Sequence, residues 1–233
     1  MNDQSKGRYE GQVGRVRMSP YPYKDATLPS GREVSRDQEV LKSMIFLSEQ
    51  LGKRDALDSI EADTIEAFMT KASTLFEVLS QSKVDPDEMV FHMNNDLNNT
   101  KTAGMFVTTI VGEYNLITDE IRWVNAGHQP AILRNGQGKY DQFESSAPPL
   151  GVIKQKDKSV YNIHKTKLNG SRFYAFTDGL SESLNDNGEE IGIDGSIGII
   201  EQNYNKDTVK QLDSITKTVI GSSQNLNLSD DLT

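Results

Sequence analysis

The run Phe173-Tyr174-Ala175-Phe176-Thr177-Asp178-Gly179-Leu180-Ser181-Glu182 organises the rest of the chain. Its first four residues are aromatic or small and apolar, the composition of a strand buried on both faces. The run then stops at an acid followed by glycine. A carboxylate at the end of a buried strand is costly unless its charge is compensated, and a cation is the simplest compensation. Gly179 permits a sharp turn, so the Asp178 oxygens could face a shared cleft. In the plainer reading, a strand-end turn, Asp178 only caps the segment that follows. The acid pair Asp230-Asp231, far along the sequence, weighs toward the cleft.

Composition narrows the function. The 233 residues fit one large domain, expected over 1–233 with 1–30 as a poorly defined N-terminal segment. A net charge of -9 argues against nonspecific binding to nucleic acid or to an anionic membrane. No apolar run is long enough to span a bilayer, and Met1-Asn2-Asp3 opens no signal-peptide pattern, so a cytoplasmic protein is expected. With no cysteine, disulfides, thiolate zinc sites and cysteine nucleophiles are excluded. The three histidines, His92, His128 and His164, are far apart in sequence, so a metal would sit on oxygen ligands.

Taken in order, Gln12 to Met18 fits a short strand in a segment punctuated by Gly and Pro. Arg36 to Leu51 carries Val40, Leu41, Met44, Ile45, Leu47 and Leu51 at a spacing that predicts a helix, broken by Gly52-Lys53-Arg54. Ile65 to Leu79 places its apolar residues in one helical stripe. Asp85-Pro86 reads as N-cap and first-turn proline of a helix running to about Leu97. Met105 to Tyr114 and Glu120 to Asn125 read as a hairpin. Ala131 to Arg134, Tyr140 to Phe143, Val160 to Leu168 and Arg172 to Phe176 continue the strand series, with turns at Asn135-Gly136 and Asn169-Gly170. Asp207 to Ile220 returns to helical spacing. Helices, then strands, then a helix predict an α+β fold with antiparallel sheet packed against helices.

Six motifs run in a fixed order: Ala103-Gly104-Met105-Phe106-Val107-Thr108, Trp123-Val124-Asn125-Ala126-Gly127-His128-Gln129-Pro130, Pro148-Pro149-Leu150-Gly151-Val152, Phe176 to Glu182, Gly188-Glu189-Glu190-Ile191-Gly192, and Ser229-Asp230-Asp231-Leu232-Thr233. In that order they resemble the PPM family of metal-dependent protein phosphatases, in its bacterial SpoIIE-like branch. The resemblance implies a β-sandwich of two mainly antiparallel sheets flanked by helices. It also implies two Mn²⁺ or Mg²⁺ ions held mostly by aspartates at one end. Asp178, with Gly179 beside it, and Asp230 would bind metal, and Asp231 would help orient water. His128 would lie near the substrate phosphate or in a proton relay, or else be a histidine hydrogen-bonded to loop backbone.

The earlier motifs of the branch are altered here. Arg32-Glu33-Val34-Ser35-Arg36-Asp37 keeps the acid of a Gly-Gly-Asp motif and loses both glycines. The bridging-aspartate position of the branch falls on Ser59, with Asp58 next to it and Asp63 a few residues on. Asp37 and Asp58 are therefore the candidate metal ligands from this half, or the site holds fewer metals. The function implied is hydrolysis of phosphoserine or phosphothreonine by metal-activated water. The expected substrate is a phosphorylated protein, a small anti-sigma-factor antagonist in a partner-switching pathway. A homodimer is left open. The alternative is a pseudophosphatase that docks the partner without turnover. An α+β scaffold would explain the composition but not the ordered motifs.

Overall fold

In the computed structural model the described residues are 14–21, 43–53, 62–82, 84–99, 105–185, 187–205 and 207–222. The order of elements is β1 (Gly14–Tyr21), β2 (Ser43–Lys53), α1 (Ala62–Ser80), α2 (Pro86–Asn98), β3 (Met105–Asn115), β4 (Glu120–Ala126), β5 (Ala131–Arg134), β6 (Tyr140–Phe143), β7 (His164–Lys167), β8 (Arg172–Tyr174), α3 (Asp178–Ser181), α4 (Gly192–Gln202) and α5 (Thr208–Ser222). Five strands form one antiparallel sheet in the order β1-β2-β3-β4-β7, and three form a second in the order β6-β5-β8.

Strand periodicity explains the layers. A strand sends successive side chains to opposite faces. In β3, Met105, Val107 and Val111 pack with Phe68, Met69, Ala72 and Phe76 of α1 and Met89, Val90, Met93 and Leu97 of α2. From the opposite face, Ile110 joins Ile121 and Trp123 of β4, Ala131 of β5, Phe143 of β6 and Phe173 of β8, between the sheets. The outer face of the small sheet, through Ile132, Tyr140 and Tyr174, packs on α4 and α5 through Ile200, Ile215 and Val219. The result is a helix–sheet–sheet–helix sandwich, as expected from the ordered motifs. Each fully buried Phe, Met or Leu at these contacts contributes about 2 kcal/mol.

Three expectations are corrected and one further helix is found. The segment from Ser43 to Leu51 is not helix but the central strand β2, paired with β1 on one edge and with β3 on the other from Ser43↔Asn115 to Lys53↔Met105. Met44-Ile45-Phe46-Leu47 runs apolar without alternation, which erases the period-two signature and, with Leu51, imitates a helical stripe. Val160 to Leu168 pairs only over His164–Lys167. Before it, Lys158–Val160 forms a single 3₁₀ turn, in which the Ser159 N–H donates to the Asp157 carboxylate at 2.7 Å. The strand starting at Arg172 ends at Tyr174, two residues before Phe176. Helix α4 was not expected, because Gly192, Gly195 and Gly198 disfavour helix; Ile193, Ile197 and Ile200 nonetheless share its packed face.

The turn at Asn169-Gly170, with φ of 47° and 81°, carries the chain from β7 in the large sheet to β8 in the small one rather than closing a hairpin. The Asn135-Gly136 turn does close the β5–β6 hairpin.

Candidate active site

Leaving the small sheet, the chain passes through Phe176 and Thr177 and enters the one-turn helix α3, whose four residues are all buried. Asp178 is its first residue and is only 3 % exposed. It stands at the first position of a helical turn, four residues after the last residue of β8. Gly179 is helical, not left-handed. In place of the sharp turn expected there, Gly179 is the second residue of a single helical turn.

Beside this segment lies the β4–β5 connection. His128 is 5 % exposed, and its Nδ1 lies 3.0 Å from Oγ1 of Thr108 in β3. The ring also hydrogen-bonds the Phe176 backbone, two residues ahead of Asp178. The His128 backbone N–H donates to Oδ1 of Asn125 at 2.9 Å, and Asn125 Nδ2 donates to the Gln129 carbonyl at 3.0 Å. Burial drives the imidazole pKa down to about 4, so the ring is neutral at physiological pH. This is the geometry of a histidine that ties three segments together.

Two glycines close the cluster. Gly127, at φ +73°, presses on Pro149 so tightly that a Cβ would fall 2.7 Å from Pro149 Cδ. Gly151, at φ +87°, sits against β3, where a Cβ would be 3.2 Å from the Met105 carbonyl. Between them Leu150 and Val107 exchange backbone hydrogen bonds of 2.7 and 2.9 Å. Four of the six motifs are thus packed together: the start of β3, the β4–β5 loop, the Pro148–Val152 loop and the β8–α3 junction.

Of the candidate site residues, the structure describes His128, Asp178 and Gly179, and joins the His128 ring to the Phe176 backbone two residues ahead of Asp178. Asp37, Asp58, Asp230 and Asp231 lie outside the described residues, as does Ser59. Among the described residues no group of three or more His, Cys, Asp or Glu could by itself hold a metal ion. The donor chemistry of the candidates is uniformly carboxylate, which fits a hard divalent cation, and Asp178 is the member whose burial is seen. Thr108, Ser145 and Asn94 went unremarked from sequence. Ser145 Oγ accepts the Gly127 N–H at 2.6 Å. The one readable signal was Asn94, a polar residue on the apolar stripe of α2.

A two-sheet sandwich with helices on both outer faces and a buried aspartate opening the helical turn after the small sheet is the architecture of the PP2C-type phosphatases. The PP2C domain of SiaA from Pseudomonas aeruginosa superposes with a TM-score of 0.62 at 10 % identity, covering 82 % of this chain and 78 % of that one. RsbX in complex with magnesium superposes with a TM-score of 0.55 at 16 % identity, covering 96 % and 92 %. These likenesses establish the fold. Residues 66–233 match the SpoIIE family, described as Stage II sporulation protein E, and the chain belongs to that family. The phosphoserine phosphatase RsbU of Bacillus subtilis (strain 168) is 24 % identical over 122 residues, which is 52 % of this chain and 36 % of RsbU. Curated relatives are matched over 18 % to 36 % of their own length.

Proposed function

We propose that this chain is a Mn²⁺- or Mg²⁺-dependent phosphoprotein phosphatase domain that hydrolyses phosphoserine or phosphothreonine on a signalling partner. The observation that carries the reading is the burial of Asp178 where the ordered motifs converge, beside the His128 loop. Membership of a family whose relatives include a phosphoserine phosphatase supports it.

Asp178 would hold metal together with Asp37, Asp58 and Asp230, and Asp231 would orient the attacking water. When bound, hard divalent cations neutralise charge on the phosphoryl oxygens and acidify a water enough to attack at neutral pH. The chain's own part is to fix the carboxylates. His128, neutral and buried, holds the Phe176 backbone against β3 and thereby fixes the approach to Asp178. A neutral imidazole also avoids placing a competing positive charge beside a cation site.

The substrate we infer is a phosphorylated protein of the anti-sigma-factor-antagonist kind, within partner switching. Among the described residues no helix is long and apolar enough to cross a membrane. The test is hydrolysis of p-nitrophenyl phosphate with added Mn²⁺ by the parent and by Asp178→Asn. Turnover that the substitution abolishes supports the enzyme. Absence of turnover in both, with partner binding retained, identifies a docking pseudoenzyme in which Ser59 fails to replace the bridging carboxylate.

A further inference from the structure

Asn94 is wholly buried on the face of α2 that packs against the large sheet, among Met89, Val90, Met93 and Leu97. A carboxamide there is costly unless both of its ends are paired. They are paired, and to one loop. Asn94 Oδ1 accepts the Gly151 N–H at 3.0 Å, and Asn94 Nδ2 donates to the Ile153 carbonyl at 3.0 Å. Asn98 Nδ2 donates to the same Oδ1 at 3.0 Å and so fixes the amide orientation. One residue along, Asn95 Oδ1 accepts the Gln155 N–H at 3.0 Å. Gly151 is left-handed at φ +87° and residues 151–153 form a turn, which brings the Gly151 N–H and the Ile153 carbonyl within reach of a single carboxamide. The Asn94 side chain closes that turn from the inside.

The loop held in this way begins at Leu150, bonded to Val107, and follows Pro149, packed on Gly127 beside His128. Its base therefore belongs to the candidate active site. Its tip does not: Ile153 is 54 % exposed. A small phosphate ester has no reason to reach the tip, whereas a folded protein presenting a phosphoserine to the site would meet it.

We propose that Asn94 is a positioning residue that sets the conformation of the 150–155 loop as a contact surface for a phosphoprotein substrate. The proposal rests on the phosphatase reading for the nature of the substrate, and on the hydrogen bonds alone for the anchor. The experiment compares the parent with Asn94→Ala and Asn94→Asp, the latter keeping the acceptor for Gly151 while losing the donor to Ile153. Amide hydrogen exchange of the loop and the kinetics on phosphorylated casein are measured together. In Asn94→Ala, exchange at Gly151 is expected to rise about tenfold, and KM for casein about tenfold with a smaller fall in kcat. Asn94→Asp is expected to recover protection at Gly151 and part of the KM. Unchanged protection at Gly151 in folded Asn94→Ala, or a loss confined to kcat, overturns the proposal. A parent that turns over no phosphoester counts against the phosphatase reading. The anchor is then decided by the exchange data, upheld if Asn94→Ala exposes Gly151 and overturned if it does not.

Discussion

Thr108 Oγ1 and His128 Nδ1 meet at 3.0 Å across 20 residues of sequence, linking β3 to the loop that follows β4. The same imidazole reaches the Phe176 backbone, so one side chain joins β3, the β4–β5 loop and the segment that delivers Asp178. A hydrogen-bonded histidine at this depth couples the alignment of the candidate site to its own protonation.

That coupling has a defined pH window. The unfolded histidine takes up a proton near its ordinary value of 6.5, while burial holds the folded one at about 4. The folded state therefore has its full His128 contribution above about pH 6.5 and loses stability as pH falls toward 4, by roughly 3 kcal/mol. Urea unfolding of the parent and of His128→Gln at pH 7.5 and pH 4.5 checks this. The stability gap between them is expected to narrow at the lower pH. A gap that stays constant would exclude the coupling.

Gly127 and Gly170 are both left-handed, at φ of 73° and 81°, yet only Gly127 is crowded; a Cβ on Gly170 would meet nothing within 4 Å. Gly127→Ala must strain the backbone and displace Pro149, costing about 3 kcal/mol, whereas Gly170→Ala costs about 1 kcal/mol of backbone strain alone. Chemical denaturation of the two variants gives the comparison, and equal losses would mean that the Gly127–Pro149 contact is not tight.

The sequence made the parts with a clean period legible. β3 and β4 alternate between two packed faces, and α1 and α2 carry simple stripes, so all four were placed within a few residues. β2 was not, because Met44-Ile45-Phe46-Leu47 is an unbroken apolar run that, with Val40, Leu41 and Leu51 around it, matches helical spacing as well as strand alternation. α4 was hidden by three glycines that tertiary packing overrides. At the site, the ordered motifs pointed to Asp178 and His128, but nothing in a lone histidine announces that Thr108 and the Phe176 backbone will hold it. Long-range pairs of that kind exist only once the sheets are assembled.

Arg134 illustrates a second such pair. Its guanidinium is forked on Glu201 at 2.8 and 3.1 Å and stacked over Tyr204 with its centre 3.7 Å from the ring centroid. The bond from Arg134, with a further one from Tyr140, holds the Glu201 carboxyl down at about 2. Stability from this carboxylate is present above pH 4.5 and lost as pH falls through 2; with Glu201 half-exposed, solvent screening keeps it below about 1 kcal/mol. Arg134→Ala also removes the packing on Tyr204 and is expected to cost about 2 kcal/mol, and Arg134→Lys to recover little of it, because an ammonium offers no planar fork. Thermal unfolding of both variants decides it; full recovery by lysine would show that charge alone matters.

The most direct measurement is the melting temperature of the parent and of Asp178→Asn as Mn²⁺ is raised from micromolar to millimolar. Without metal, the variant should melt at or above the parent, since it buries an amide in place of a carboxylate. With metal, the parent should gain about 2.7 kcal/mol at a hundredfold excess over its dissociation constant, and the variant should gain far less. A parent whose melting ignores Mn²⁺, or a variant that responds equally, would contradict a divalent-cation site built on Asp178.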